Sequence, residues 1–401
     1  MTNIGPPWLA EPAVRRLLAA LSAAGIEARF VGGCVRDTLL GLEIGDIDLA
    51  TPAPPDAVMR ALAAARIKAI PTGLAHGTVT AAIPPRHFEI TTLRRDVETD
   101  GRHAKVAFGA DWDEDAARRD FTINAIYLAP DGTIFDPVGG QADLAARRVR
   151  FVGDAATRIA EDVLRILRYY RFEARFGAGE GDAAARAACR AAASKLPNLS
   201  AERVWRELSR LLGGPDPVRA LTLMEQDGVF TAILPEATRL DRLEKLVPLS
   251  EDPLPRLAAL IDVDADGART VAERLRLSNA ERDRLAGLAK PWPLDPDGDP
   301  KAHRLALYRL GRDRYADLAR LAAADGRMPP PRLQNLLEFA ATWPIPRFPL
   351  RGADIAALGI APGPRTGELL AEIRRWWEEG DFAADRAACL AHLNKIAGKD
   401  R

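Results

Sequence analysis

The sequence predicts an α+β protein: strands and helices mix up to about residue 155, and nearly everything beyond is helical. Three observations carry this. In the first part the apolar residues form short runs, such as Phe30-Val31, bounded by Gly and Pro. In the second they recur at helical spacing in longer segments, separated by Pro/Gly-rich breaks at 213–217, 291–299 and 328–331. Between the first strands, residues 32–51 gather glycines, an arginine and three aspartates in an order that suits chemistry better than packing.

Taken in order, residues 8–24 form an Ala/Leu-rich amphipathic helix stopped by Gly25. Residues 26–31 read as a strand. Gly32 and Gly33 follow; lacking a Cβ, they let the backbone come close to a ligand. Val35, Leu39, Leu40 and Leu42 predict a short helix opening directly after them, with Arg36 in reach of an anion held over the loop. Residues 46–50 are the next strand. Positions i and i+2 of a strand share a side, so Asp46 and Asp48 project together while Ile47 and Leu49 face the core. Two carboxylates beside a phosphate cradle suit a Mg²⁺-dependent phosphoryl or nucleotidyl transfer.

After Pro52, Pro54 and Pro55, residues 57–65 are helical, and strands are expected at 67–70, 77–83 and 87–92. The last carries Glu89. In an antiparallel neighbour of the Asp46/Asp48 strand it supplies a third acidic group to the metal site; facing solvent, it is an ordinary strand residue. Residues 94–117 are polar and poorly periodic, which predicts a long loop, and a loop of that length inside a compact domain is either functional or disordered. Arg118 to Tyr127 then runs from a polar cluster into an apolar segment, and Ile134 to Leu144 reads as strand, turn and helix start. Over 156–176 the spacing predicts a helix with Asp162, Arg165 and, a turn later, Arg168 along one face. Val163, Leu164, Ile166 and Leu167 would be its buried face. Further helices are expected at 182–194, 200–213, 217–227, 251–263, 267–276, 279–290, 300–311, 313–324 and 331–341, and two or three more between 350 and 393, hinged at Pro362-Gly363-Pro364. No repeat of fixed period is evident.

Composition narrows the function classes. The 56 basic and 56 acidic residues balance, so nucleic-acid binding must use local basic surface, with no global cationic field. The three cysteines, Cys34, Cys189 and Cys389, are too scattered for a metal cluster and fit a reducing, cytoplasmic setting. No secretory leader and no stretch near the ~20 apolar residues of a membrane span is expected. The five histidines do not cluster, which argues against an appended metal phosphohydrolase; His76 reads as structural, in a turn. Cys34 reads as a small filler, and Trp376-Trp377 as core.

Three motifs occur together in this chain: residues 32–51, Arg-Arg-Asp-Phe-Thr-Ile-Asn-Ala at 118–125, and Glu-Asp-Val-Leu-Arg-Ile-Leu-Arg at 161–168. In order and distance they closely resemble those of bacterial class II CCA-adding tRNA nucleotidyltransferases and the related bacterial poly(A) polymerases, over about residues 25–215. The resemblance implies a polymerase-β-like nucleotidyltransferase head (1–145), a helical neck that selects the base (146–215), a helical body (216–330) and a helical tail that binds tRNA (331–401). Gly32, Gly33 and Arg36 would contact the triphosphate, and Asp46 and Asp48 would hold two Mg²⁺ ions. Arg119, Asp120 and Asn124 would lie by the ribose and phosphates. Asp162 and Arg165 would read the base, with Arg168 and Arg171 completing the nucleotide pocket. CTP, ATP and the 3′ end and acceptor/elbow region of tRNA are the implied partners, with no membrane and no obligate protein partner.

That assignment makes chemical sense. Cytosine and adenine both set an exocyclic amino donor beside a ring-nitrogen acceptor. A carboxylate at Asp162 accepts from the first and Arg165 donates to the second, whereas uracil and guanine turn a carbonyl toward the carboxylate. The 94–117 segment matches the loop that helps such enzymes switch from CTP to ATP, and its full length implies complete CCA addition. A neutral chain with a compact tail favours CCA addition over poly(A) synthesis. The Asp46/Asp48 pair argues against a non-catalytic RNA-binding relative. Residues 358–367 resemble a phosphate-contacting hairpin and equally a plain helix joint.

Overall fold

The computed structural model describes residues 4–74, 77–99, 104–109, 111–290 and 295–399, so His76 and part of the Pro-rich break at 291–299 lie outside the described residues. The chain divides into two compact units, residues 1–237 with 274–276, and 238–273 with 277–401.

The first unit opens with a 3₁₀ turn, Pro7–Ala10, and helix α1, Pro12–Ala23. The expected single helix is broken at Glu11, whose extended backbone lets Pro12 begin a new helix where no N–H is needed. Then follow β1 (Arg29–Val31), α2 (Gly33–Leu39), β2 (Ile47–Thr51), α3 (Pro55–Ala64), β3 (Lys68–Gly73), β4 (Thr78–Ile83) and β5 (Arg86–Thr92). Next come β6 (Arg94–Thr99), β7 (Ala104–Phe108), α4 (Trp112–Ala117), β8 (Tyr127–Leu128), β9 (Ile134–Phe135) and α5 (Gly140–Ala145). Seven strands form one sheet in the order β3-β4-β5-β2-β1-β8-β9. All its pairs are antiparallel except β2 with β5, because a helical crossover, α3, and the β3–β4 hairpin lie between them.

The two faces of this sheet differ. Phe30, Ile47, Leu49, Val79, Ala81, Phe88 and Ile90 cluster with Val14, Leu17 and Leu21 of α1 and Val58 and Leu62 of α3. Each such large side chain contributes roughly 1.5–3 kcal/mol by leaving water. On the other face, register sets Thr80, Glu89, Asp48, Val31 and Tyr127 in one row across five strands. A smaller apolar cluster, with Val31, Ala116, Ala125, Tyr127 and Val152, covers the Tyr127 end of that row. The carboxylate end is left for chemistry.

Residues 94–117 are not the loop their composition suggests. Strands β6 and β7 pair as a separate two-stranded antiparallel ribbon, followed by α4. A register shift between Asp96 and Glu98 breaks the alternation that would have revealed the strands. The acidic first turn of α4, capped by the Asp111 carboxylate, hides the helix.

The expected helix over 156–176 is likewise two helices, α6 (Ala155–Glu161) and α7 (Arg165–Phe176). Asp162 lies in the break with extended backbone, and its carboxylate accepts the Leu164 amide at 3.1 Å. Such a local Asx bond competes with helix continuation. Helices α8 (Ala183–Ala192), α9 (Ala201–Leu212), α10 (Pro217–Gln226) and α11 (Val229–Ile233) complete the unit, with α9 and α10 packed against α7.

The remaining helices are α12 (Leu240–Leu246), α13 (Pro253–Leu260), α14 (Ala265–Arg274), α15 (Asn279–Leu288), α16 (Pro300–Leu310), α17 (Arg312–Ala324) and α18 (Pro330–Thr342), then α19 (Gly352–Ala356), α20 (Pro364–Glu379) and α21 (Arg386–Lys399). The last three enclose their own core of Leu350, Ile355, Leu369, Ile373, Trp377, Cys389 and Leu393. Trp377 is thus core, while the half-buried Trp376 stacks on His392 with ring centroids 4.1 Å apart. No described helix is long and apolar enough to cross a membrane.

Candidate active site

β1 ends at Gly32, whose φ of +79° and ψ of −132° no residue with a Cβ adopts readily. This turn starts α2 and brings Arg36 beneath the glycine loop, where a Cβ on Gly33 would lie 3.6 Å from the Arg36 guanidinium. Arg36 is buried. Its Nε donates to Asp37 at 2.8 Å, its Nη1 donates to the Asn124 carbonyl oxygen at 2.7 Å, and it lies 4.2 Å over the Phe176 ring. Cys34, behind the same turn, is buried with its thiol pushed up to about 11 by desolvation, as a filler would be.

The carboxylates come next. Asp46 is exposed just before β2, and Asp48 is half-buried within it, between buried Ile47 and Leu49. Arg86, at the start of β5, donates twice to Glu11 at 2.8 Å and also to the Gly45 carbonyl at 3.2 Å, bracing the backbone that precedes Asp46. Glu89 is the register partner of Asp48, but on a parallel strand, not the antiparallel neighbour expected. Burial and then the charges of Glu89 and Asp46 raise the Asp48 carboxyl to about 6, against the opposing pull of Arg119. Among the described residues no group of three or more His, Cys, Asp or Glu is disposed to hold a metal ion by itself. The donor set nevertheless fits a hard divalent cation: oxygen ligands whose mutual repulsion Arg119 offsets only in part, at an edge open to substrate oxygens.

Beyond β7, Asp120 connects two of the expected residues. Its Oδ1 accepts from the Asn124 amide at 3.0 Å and from the Phe121 N–H at 2.8 Å; its Oδ2 accepts from Arg168 Nε at 2.9 Å. Burial alone would raise this carboxyl, but Arg168 and Asn124 outweigh it and hold it below its ordinary value. A continuous polar chain therefore runs Asp37–Arg36–Asn124–Asp120–Arg168. Arg119 points elsewhere, to Asp115 at 3.0 Å and to the Tyr127 hydroxyl at 3.1 Å.

Asp162 and Arg165 do not share a helix face. Asp162 terminates α6 and is held by Arg203 of α9 at 2.7 Å, whereas Arg165, in the first turn of α7, donates to the Arg158 carbonyl at 2.8 Å and to Glu161. Arg171 donates to buried Glu207 at 2.5 Å and lies 4.4 Å over Phe172. The partners that sequence reasoning missed, Asp115, Glu161, Arg203 and Glu207, include two buried acids, Asp115 and Glu207, that restrain the arginines it found. A buried acid on an otherwise apolar helix face, as Glu207 is on α9, was the available signal.

A mixed sheet with this carboxylate row beside a glycine turn, followed by helices, defines a nucleotidyltransferase of the polymerase-β-like class. Residues 28–150 match the Poly A polymerase head domain, and residues 182–240 match the probable RNA and SrmB-binding site of polymerase A. Mouse mitochondrial CCA tRNA nucleotidyltransferase 1 is 36% identical over 388 residues, covering 92% of this chain and 87% of its own. The CCA-adding enzyme of Limosilactobacillus fermentum is 32% identical over 404 residues, covering 97% and 96%. The Bacillus stearothermophilus CCA-adding enzyme, solved in complex with CTP, aligns with a TM-score of 0.79 at 30% identity over 98% of this chain and all of its own. The chain belongs to the family of CCA-adding enzymes and poly(A) polymerases.

Proposed function

We propose that this protein adds C, C and then A to the 3′ end of tRNA from CTP and ATP, releasing pyrophosphate. The carrying observation is the charge-strained Asp48, flanked by Asp46 and Glu89 on the open half of a nucleotidyltransferase sheet. Near-full-length similarity to CCA-adding enzymes supports the choice of product. The 3′-oxygen of tRNA attacks the α-phosphorus, the bond to the β-phosphate oxygen breaks, and pyrophosphate departs. A bound divalent metal, in our reading two Mg²⁺ ions, makes the attacking hydroxyl more acidic and neutralises charge on the phosphates.

The residues take the following roles in this reading. Asp46 and Asp48 hold the metal, with Glu89 as a further ligand or as a charge that tunes Asp48. Gly32 and Gly33 admit the triphosphate, with the Arg36 charge beneath them. Arg119, Asp120 and Asn124 orient phosphates and ribose. Asp162 accepts from the amino group of cytosine or adenine and Arg165 donates to the ring nitrogen, each held by a partner, Arg203 and Glu161, that limits its freedom. Arg168 and Arg171, restrained by Asp120 and Glu207, close the pocket. We divide the chain into head (1–145), neck (146–215), body (216–330) and tail (331–401), and place the reaction in the cytoplasm; free, buried thiols support a reducing compartment.

Incubating the protein with tRNA lacking its 3′ end, labelled CTP and ATP, and Mg²⁺ tests this. Addition stopping after CCA is the expected result. A long adenosine ladder would make it a poly(A) polymerase, and no incorporation would overturn the enzymatic reading.

A further inference from the structure

We propose that Asp115 is a positioning residue for the nucleotide triphosphate, acting through Arg119. The inference deepens the nucleotidyl-transfer reading, since it needs a phosphate at the Asp46/Asp48 edge.

Asp115, on α4, is 1% exposed, a setting in which an acid is rarely found without a strong reason. Its two oxygens are divided between two arginines. Oδ1 accepts from Arg118 Nε at 2.8 Å. Oδ2 accepts from Arg119 Nε at 3.2 Å and Nη2 at 3.0 Å, and from the Tyr127 hydroxyl at 2.7 Å. The Tyr127 oxygen in turn accepts from Arg119 Nε at 3.1 Å, and the guanidinium lies 5.3 Å from the centre of the Tyr127 ring. One edge of Arg119 is therefore fixed by two buried partners. Its Nη1 donates to no described residue.

The partner that fixes Arg119 has a defined place on the sheet. Tyr127 and Asp48 belong to the same row of the sheet with only Val31 between them, about 10 Å apart by strand spacing. A phosphate bound against Asp48 thus meets the unused guanidinium edge, the group best shaped to take it. Burial would raise the Asp115 carboxyl, but the two guanidiniums and the Tyr127 hydroxyl hold it below its ordinary value, so it stays ionised. One acid against two arginines leaves a net positive charge in this cluster. An amide cannot replace it, because its NH₂ would confront a guanidinium donor with another donor.

The test uses the full-length protein with Asp115→Asn and Tyr127→Phe. KM and kcat are measured for CTP and ATP on tRNA, and equilibrium affinity for CTP and for cytidine by ligand-observed NMR. Asp115→Asn should raise both KM values and weaken CTP affinity about 10- to 100-fold, the range for a charged hydrogen bond. Cytidine affinity and the CTP/ATP preference should not move. Tyr127→Phe, which removes one bond and keeps the ring, should act in the same direction by about three- to tenfold, and it decides the matter if Asp115→Asn fails to fold. Unchanged CTP affinity in a folded variant, or an equal loss for cytidine, overturns the proposal. Failure of the wild type to extend tRNA would instead overturn the proposed function, because the CTP-versus-cytidine comparison does not depend on turnover.

Discussion

Asp48 concentrates opposing demands on one side chain. The fold half-buries it and sets Glu89 and Asp46 beside it, so the metal-free protein binds a proton there more tightly than the unfolded chain does. A carboxyl raised from 3.8 to about 6 favours folding below pH 4 and loses that contribution as pH rises through 6. Asp48→Asn should therefore stabilise the metal-free protein at pH 8 by about 1–2 kcal/mol, discounted for solvent, with no gain at pH 4. It should abolish nucleotide incorporation and the stabilisation that Mg²⁺ gives the wild type. Denaturant melts at the two pH values, with and without Mg²⁺, check this; a loss of stability at pH 8 would contradict it. Asp162→Ala should raise UTP use relative to CTP by roughly 10- to 100-fold in kcat/KM with little change in Mg²⁺ dependence, and undiminished exclusion of UTP would remove Asp162 from base reading. The closeness of Asp46 to Asp48 was legible in their spacing, although Asp46 stands just before β2 and only Asp48 lies within the strand. Arg203 and Glu207 were not, since they meet Asp162 and Arg171 across 41 and 36 residues of chain, pairings only the packing of α9 on α7 creates.

At the scale of elements, most helices and strands were legible from period and punctuation, and the misses share a cause. Wherever a side chain bonds to nearby backbone, or a register shift interrupts a strand, the local period fails. Asp162 splits α6 from α7 in the first way, and the Asp96/Glu98 shift hides β6 in the second. The parallel pairing of β2 and β5 was out of reach for a different reason, since direction depends on the crossover between them. The β6–β7 ribbon carries its own prediction. Among the described residues its strands pair only with each other and not with the seven-stranded sheet, so shortening it should spare the fold. If the ribbon has the nucleotide-switching role that the resemblance implies, loss of residues 97–106 should leave C addition within about threefold and reduce A addition at least about tenfold. Product lengths on sequencing gels resolve the two steps, and equal loss of both would refute this role.

Across the whole molecule, zero net charge coexists with a dense arginine–carboxylate mesh. Arg36, Arg119, Arg168 and Arg171 each have an acidic or amide partner inside the first unit, so their charges are aimed rather than dispersed. The row from Thr80 to Tyr127 has a bearing on biosynthesis. Its members leave the ribosome in the order Val31, Asp48, Thr80, Glu89, Tyr127, and the central strand β2 gains its partner β5 only when residue 92 has emerged. Tyr127, one of the two buried partners of Arg119, arrives later still, with β8. A nascent chain that ends before that point carries Asp46 and Asp48 without the strand that brings Tyr127 beside Arg119, so the row is complete only once residue 128 has emerged.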